Sequence, residues 1–220
     1  MDIRCIDHRV NGRDLSNTKR NRDFRYTNKK FITMSAIPPQ AKKVFSGVIF
    51  DVYQWEQEMF DGSTATYEMV SRQPSTEAII TVGDKIVMLD QEQPNRAPYT
   101  CIPGGRIEPG EQPLNAIKRE MAEESGYTSD DIELLYHFTG NSKLYFPEYI
   151  YVARNGHNGA TQSLDSGEKI SIKLVTFDEL LQTTRNPLFA ASWGLKQVFV
   201  EALLDEEKYQ ELKKKIFKNR

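Results

Sequence analysis

Residues 105–127 read GRIEPGEQPLNAIKREMAEESGY, with five carboxylates, Glu108, Glu111, Glu120, Glu123 and Glu124, against three basic residues. An opening punctuated by glycine and proline gives way to a helical pattern near Pro113, where the N–H that proline lacks is not needed in a first turn. Leu114, Ile117 and Met121 recur at i, i+3 and i+7 as an apolar stripe, and Gly126 stands where a left-handed residue ends a helix. At ~100° per residue, Glu120, Glu123 and Glu124 fall on one arc beside that stripe. Like charges one turn apart destabilise a helix by a few tenths of a kcal/mol and raise one another's pKa, so the arc is wasteful unless a cation fills it. The occupant suited to it is a hard, oxygen-seeking divalent ion, Mg²⁺ first and Mn²⁺ second. Taken alone, the same helix also reads as a solvated acidic face.

The wider spacing adds to this. Gly105, Glu111, Arg119, Glu120, Met121, Glu123, Glu124 and Gly126 fall at eight specified positions across 23 residues, with Tyr127 in place of a final aliphatic residue. This pattern resembles the Nudix box. The resemblance implies an α/β fold, a Nudix-type α/β/α sandwich with a mixed sheet, and a hydrolase that cleaves a nucleoside diphosphate linked to another moiety. A diphosphate is a poor electrophile because its own charges repel a nucleophile, so phosphate oxygens must be neutralised while water is activated. Mg²⁺ ions on the carboxylate cluster would do both. Glu120 and Glu124 are the expected ligands, with Glu123 beside them and, by resemblance, the Gly104 carbonyl. Arg119 and Glu111 are expected to pair and fix loop against helix. The water-activating base is expected at Glu168 in LDSGEKI, then Asp165, with Glu111 and Glu123 as competing candidates.

Outward from the box, strands are expected over 77–82, 85–90, 99–102, 132–139, 149–154 and 170–176, with loops over 91–98, 140–147 and 156–167. A short helix over 177–183 and a long one over 187–215 follow, the latter with Phe189, Trp193, Val198, Ala202 and Leu203 inward. Before the core, residues 44–70 read as two β-rich runs around Asp61 and Gly62, a hairpin signal. A small N-terminal antiparallel β-sheet of this kind resembles the branch that cleaves ADP-ribose and other nucleoside diphosphate sugars, and implies a homodimer. The expected layout is a tail over 1–35, the sheet extension over 36–70, and the hydrolase domain over 71–220. For the nucleotide, Arg72 lies where relatives use arginine, Trp55, Phe50 and Tyr53 are aromatics able to stack on a base, and Gly105 borders the substrate. Relatives carry a further arginine near Gln91; here the text is Gln91-Glu92-Gln93-Pro94, so Arg96 is the substitute and the sugar preference is open.

The chain of 220 residues is 39% hydrophobic and 27% charged with a formal charge of −2, which suits one globular domain with short extensions and implies no nucleic-acid polymer as partner. No apolar run nears the length of a membrane span and no signal-peptide core is evident, so a cytoplasmic protein is expected. Cys5 and Cys101 have neither metal-ligand spacing nor a second pair and read as reduced thiols, Cys101 in the core. Residues 1–35 carry nine basic residues against four Asp and read as a disordered tail or a basic arm, and Met34 also looks like a start site. Two other functions compete: a housecleaning nucleotide or dinucleotide pyrophosphatase of the same fold, and a module that binds ADP-ribose without cleaving it. Such modules lose box glutamates, and all are present here.

Overall fold

The computed structural model describes residues 37–141 and 143–218; the basic stretch 1–35 and Cys5 lie outside them. Three antiparallel strands come first, β1 (Lys42–Ser46), β2 (Phe50–Glu58) and β3 (Thr64–Arg72). Asp61 and Gly62 make the turn between the last two. Gly62 takes a φ of 83°, and the Asp61 carboxylate accepts from both the N–H and the hydroxyl of Ser63. Next come β4 (Ser75–Val82), β5 (Lys85–Glu92) and the short strands β6 (Tyr99–Cys101) and β7 (Gly104–Arg106). Helix α1 (Pro113–Glu120) runs on into one wider π turn, Met121–Ser125. Then follow β8 (Tyr127–Thr128), β9 (Asp131–Asn141), β10 (Leu144–Arg154), β11 (His157–Asn158) and β12 (Lys169–Val175). Helix α2 (Phe177–Gln182), strand β13 (Phe189–Ala190) and helices α3 (Trp193–Leu204) and α4 (Glu206–Phe217) close the chain.

The sheet is mixed around β10, which runs parallel to β4 and antiparallel to β9. Strand β4 pairs antiparallel with β5 and β7, and β5 with β12 and β6. The N-terminal antiparallel sheet joins this one where β3 lies parallel to the first residues of β10. Alternation along the central strands then divides the core in two. Ile79, Ile86, Met88, Ile150 and Val152 face α2, α3 and α4, while Ala78, Ile80, Val87, Leu89, Tyr151 and Ala153 face Ile117 and Met121 of the box helix. Helices therefore cover both faces, the expected α/β/α sandwich.

Several boundaries differ from the sequence reading. Residues 140–147 are mostly strand: β9 and β10 run on to a tight hairpin, and Pro147, which has no N–H to donate, falls where the register shifts between Tyr145 and Glu148. The polar stretch 156–167 contains β11, which pairs with β8. The expected long terminal helix is two helices. Asp205, at a φ of −138°, accepts from the N–H groups of Glu207 and Lys208 and starts α4 afresh. Residues 187–192 are not helical, so Phe189 is buried on β13, and the inner residues of α3 are Leu195, Phe199 and Ala202. Trp193, expected inward, is 76% exposed, and Leu114, expected in the box-helix stripe, is 38% exposed while Ala116 takes its place.

Candidate active site

Two glycines bring strand β7 against the box helix. A Cβ at Gly104 would run into the Thr76 carbonyl and lie 2.7 Å from Glu77 Cα, and one at Gly105 would enter the Glu120 carboxylate. With neither present, the Gly104 N–H donates to Glu124 Oε2 at 2.8 Å. Glu124 is 7% exposed. Its burial, opposed by that hydrogen bond but reinforced by the charges of Glu120, Glu168 and Glu123, pushes its pKa up to about 8. Burial also raises Glu120, against the pull of Arg119.

The Arg119 guanidinium sits among the remaining carboxylates. Its Nη1 donates to Glu120 Oε1 at 2.8 Å and Glu123 Oε2 at 3.0 Å, and its Nε and Nη2 donate to the two oxygens of Glu111 at 3.2 and 3.1 Å. Nη2 also reaches the Arg106 carbonyl at 3.1 Å, which ties the loop after β7 to the helix. Hydrogen bonding to Arg119 in turn holds the Glu111 carboxyl below its ordinary range.

The polar stretch after β11 closes one side. The Gln162 amide donates to the Glu124 carbonyl at 2.7 Å, and the Ser163 N–H to the Glu123 carbonyl at 2.9 Å, satisfying acceptors at the end of the helix. Both contacts hold this stretch against the last turn of the helix, and Gly159 and Ala160 add N–H donors to the Gly126 carbonyl. At its far end, Glu168 accepts from the side-chain amides of Gln91 at 3.1 Å and Gln93 at 3.2 Å. Its charge is felt by both Glu120 and Glu124. Asp165 is exposed, its carbonyl accepting from the Glu168 N–H.

Beside the glycine corner opens a cleft of about 1080 Å³, whose walls include Arg72, Arg96, Arg106, Glu77, Glu148 and Trp193. Arg72 lies over the Phe146 ring at 4.0 Å and Arg96 over Tyr99 at 3.4 Å. Two acids line the cleft. Glu77 accepts from the Ser192 N–H through both oxygens, at 2.9 and 3.1 Å, and burial lifts its pKa to about 7. Glu148, 7% exposed, is likewise lifted to about 7 by burial, against the charge of Arg72, and makes no side-chain hydrogen bond among the described residues.

The structure thus brings Glu111, Arg119, Glu120, Glu123, Glu124, Gly104, Gly105 and Glu168 to one corner, with Arg72 and Arg96 on the adjoining cleft. Trp55 is elsewhere in the chain. It is 8% exposed, packed against Tyr67 across the hairpin with its indole N–H on Gln57, and lines no part of this cleft. Sequence reading missed Glu77, Glu148, Arg106 and Trp193. The first two carried a signal, since each is a carboxylate in an otherwise apolar strand. Cys101 is a free, buried thiol whose pKa burial pushes up.

The NUDIX domain profile matches residues 71–194, more than half of the chain. The chain belongs to the Nudix family. As such it is a hydrolase acting on phosphorus anhydrides. Among characterised relatives, this Nudix chain is 32% identical over 149 residues to the methanol dehydrogenase activator of Bacillus methanolicus, covering 65% of the chain and 80% of that protein. It is 29% identical over 147 residues to the ADP-ribose pyrophosphatase of Bacillus subtilis (strain 168), covering 64% and 78%. A crystal structure of an ADP compounds hydrolase superposes with a TM-score of 0.61 at 18% identity, over 76% of this chain and 92% of that one, which shows the shared fold.

Nudix hydrolases use divalent metals. The donor chemistry here fits one: buried Glu124 and half-buried Glu120, one helical turn apart and both raised in pKa, stand against the glycine corner, Glu124 on the Gly104 amide and Glu120 in the hollow that a Cβ at Gly105 would enter. Among the described residues no three His, Cys, Asp or Glu side chains already stand in a metal-holding arrangement. Arg119 holds Glu120 and Glu123 instead, supplying the positive charge that the cluster needs. No helix among the described residues is long and apolar enough to cross a membrane.

Proposed function

We propose that this Nudix hydrolase cleaves the pyrophosphate bond of a nucleoside diphosphate sugar such as ADP-ribose, with Mg²⁺, giving a nucleoside monophosphate and a sugar phosphate. The observation that carries this reading is the large cleft beside the glycine corner, with three arginines, Arg72, Arg96 and Arg106, on its walls. Its volume suits a substrate with groups on both sides of a diphosphate, and its guanidinium groups suit phosphate oxygens. The names of the Bacillus subtilis relative and of the structural neighbour support the same substrate class.

In this reading Glu120 and Glu124 hold the metal, with Glu123 and the Gly104 carbonyl beside them. The bound ion supplies neutralisation of phosphate oxygens and a lowered pKa for water. Arg72 and Arg96 orient the diphosphate. Glu168, steadied by the amides of Gln91 and Gln93, accepts the proton of the attacking water at a carboxylate oxygen. With a cation held there, Arg119 would release Glu120 and Glu123 from Nη1 while keeping Nε and Nη2 on Glu111, so the loop would stay fixed as the carboxylates are freed. A homodimer is part of the proposal, supported by the exposed apolar residues Val44, Phe45, Val48, Ile49 and Phe50 on and beside β1 and β2.

The test is a panel of sugar nucleotides, dinucleotides and nucleoside triphosphates incubated with the purified protein and Mg²⁺. Nucleoside monophosphate and sugar phosphate should appear together from a sugar nucleotide. Cleavage of triphosphates alone would reassign the substrate to a nucleotide pyrophosphatase type.

A further inference from the structure

We infer that Trp193 is the platform on which the nucleobase of the substrate stacks, an assignment that rests on the sugar-nucleotide reading and adds to it a subsite for the base. Trp193 opens helix α3 on the wall of the cleft and is 76% exposed. An indole carries a large apolar face, and leaving it in water gains nothing for the fold.

The other aromatic rings of the cleft are occupied. Arg72 covers Phe146, Arg96 covers Tyr99, and Lys196 lies 5.6 Å over Phe189. Phe138 stacks with Tyr136 at 5.9 Å and also lies against Gly194. Trp55, the chain's other tryptophan, is spent on Tyr67 inside the hairpin. Among the described residues, Trp193 has neither a ring nor a cation stacked on it.

Its backbone is fixed while its side chain is free. On one side, the Ser192 N–H donates to both oxygens of Glu77, and the Ser192 hydroxyl caps the helix by accepting from the Leu195 N–H at 3.1 Å. On the other side is Gly194, where a Cβ would come within 2.5 Å of the Phe138 ring, so the helix end is seated closely on β9. A platform fixed in this way loses little freedom on binding. It also connects to the reacting corner: Glu77 pairs with Gly104 across β4 and β7, and Gly104 bonds Glu124. The helix end that carries Trp193 and the reacting corner are thus joined through one side chain and one strand pair, whose residues stand about 4.5–5.5 Å apart, and both border the same cleft. Stacking uses the π face that all bases share, so the subsite takes a nucleobase of either class and favours the larger purine surface.

With Trp55 buried, the solvent-accessible tryptophan emission reports Trp193. Metal-free protein is titrated with AMP and, separately, with ribose 5-phosphate. AMP should quench the accessible emission and ribose 5-phosphate should not. By calorimetry, Trp193→Ala should raise the Kd for AMP by about 5- to 150-fold, and Trp193→Phe, which keeps a ring, by less. Ribose 5-phosphate affinity should be the same in all three proteins. The inference is overturned if AMP leaves the emission of the wild type unchanged, or if Trp193→Ala binds AMP as tightly as the wild type. Quenching by AMP without cleavage of any sugar nucleotide would instead overturn the proposed reaction and leave the base subsite standing.

Discussion

A methyl group at Gly105 separates the proposed metal-holding role of Glu120 from its part in the fold. Built on the observed backbone, the new Cβ lies 2.5 Å from Glu120 Cδ and 2.7 Å from Oε2. Ordinary contact between such atoms needs roughly 3.5 Å, so the carboxylate must retreat by about 1 Å. A misplacement of that size in a positioned group costs on the order of 100-fold in rate. The effect on stability is much smaller. Gly105 is not among the glycines with positive φ, so alanine fits its backbone and gains about 0.4–1 kcal/mol by restricting the unfolded chain. Against this stands the partly exposed Arg119–Glu120 pair, worth at most about 1 kcal/mol, and Arg119 keeps Glu111 and Glu123. The two terms nearly cancel. The assay is kcat/KM on the best substrate of the panel with saturating Mg²⁺, alongside a thermal melt. Gly105→Ala should lower kcat/KM about 100-fold while Tm moves by no more than about 4 °C. Activity close to that of the wild type would refute the claim that Glu120 must occupy this hollow. A Tm loss beyond about 10 °C would show instead that the glycine serves packing.

Two further perturbations address the acids around the corner. Glu77 ordinarily titrates at 4.5 and is lifted to about 7 in the fold, so the folded state binds the extra proton and its stabilising effect is lost as pH rises through 7. Between pH 5 and pH 8, in chelator, the wild type should therefore lose roughly 2–3 kcal/mol more than Glu77→Gln in urea unfolding; equal losses would disprove the shift. For the proposed base, Glu168→Gln should lower kcat by about 10²- to 10⁴-fold with a normal melting curve. A rate close to that of the wild type would pass the role to Glu123 or Glu111.

The box helix was legible because proline at its start and glycine at its end act through the backbone alone, and Pro113 and Gly126 mark its limits as read. The central strands were legible because alternating residues face opposite helical layers. What escaped the sequence depended on partners distant in the chain. Trp55 looked like a ligand for a base until the hairpin register set it opposite Tyr67. Trp193 looked like core because a helical period was run through residues 187–192 and past two caps, Ser192 and Asp205, that restart the chain direction. Glu77 and Glu148 become site candidates only when β4 and β10 lie side by side and carry both to the cleft.

The π turn over Met121–Ser125 gives this domain a vulnerable reading frame. Removing Ala122 or Glu123 would leave Ile117 and Met121 in the core, yet it would turn Glu124 by roughly 100° about the helix axis, away from the Gly104 amide. Descendants of this sequence that gain or lose a residue at that point are expected to keep their architecture and surrender their chemistry, so the length of this one turn is a better marker of an active copy than its count of glutamates.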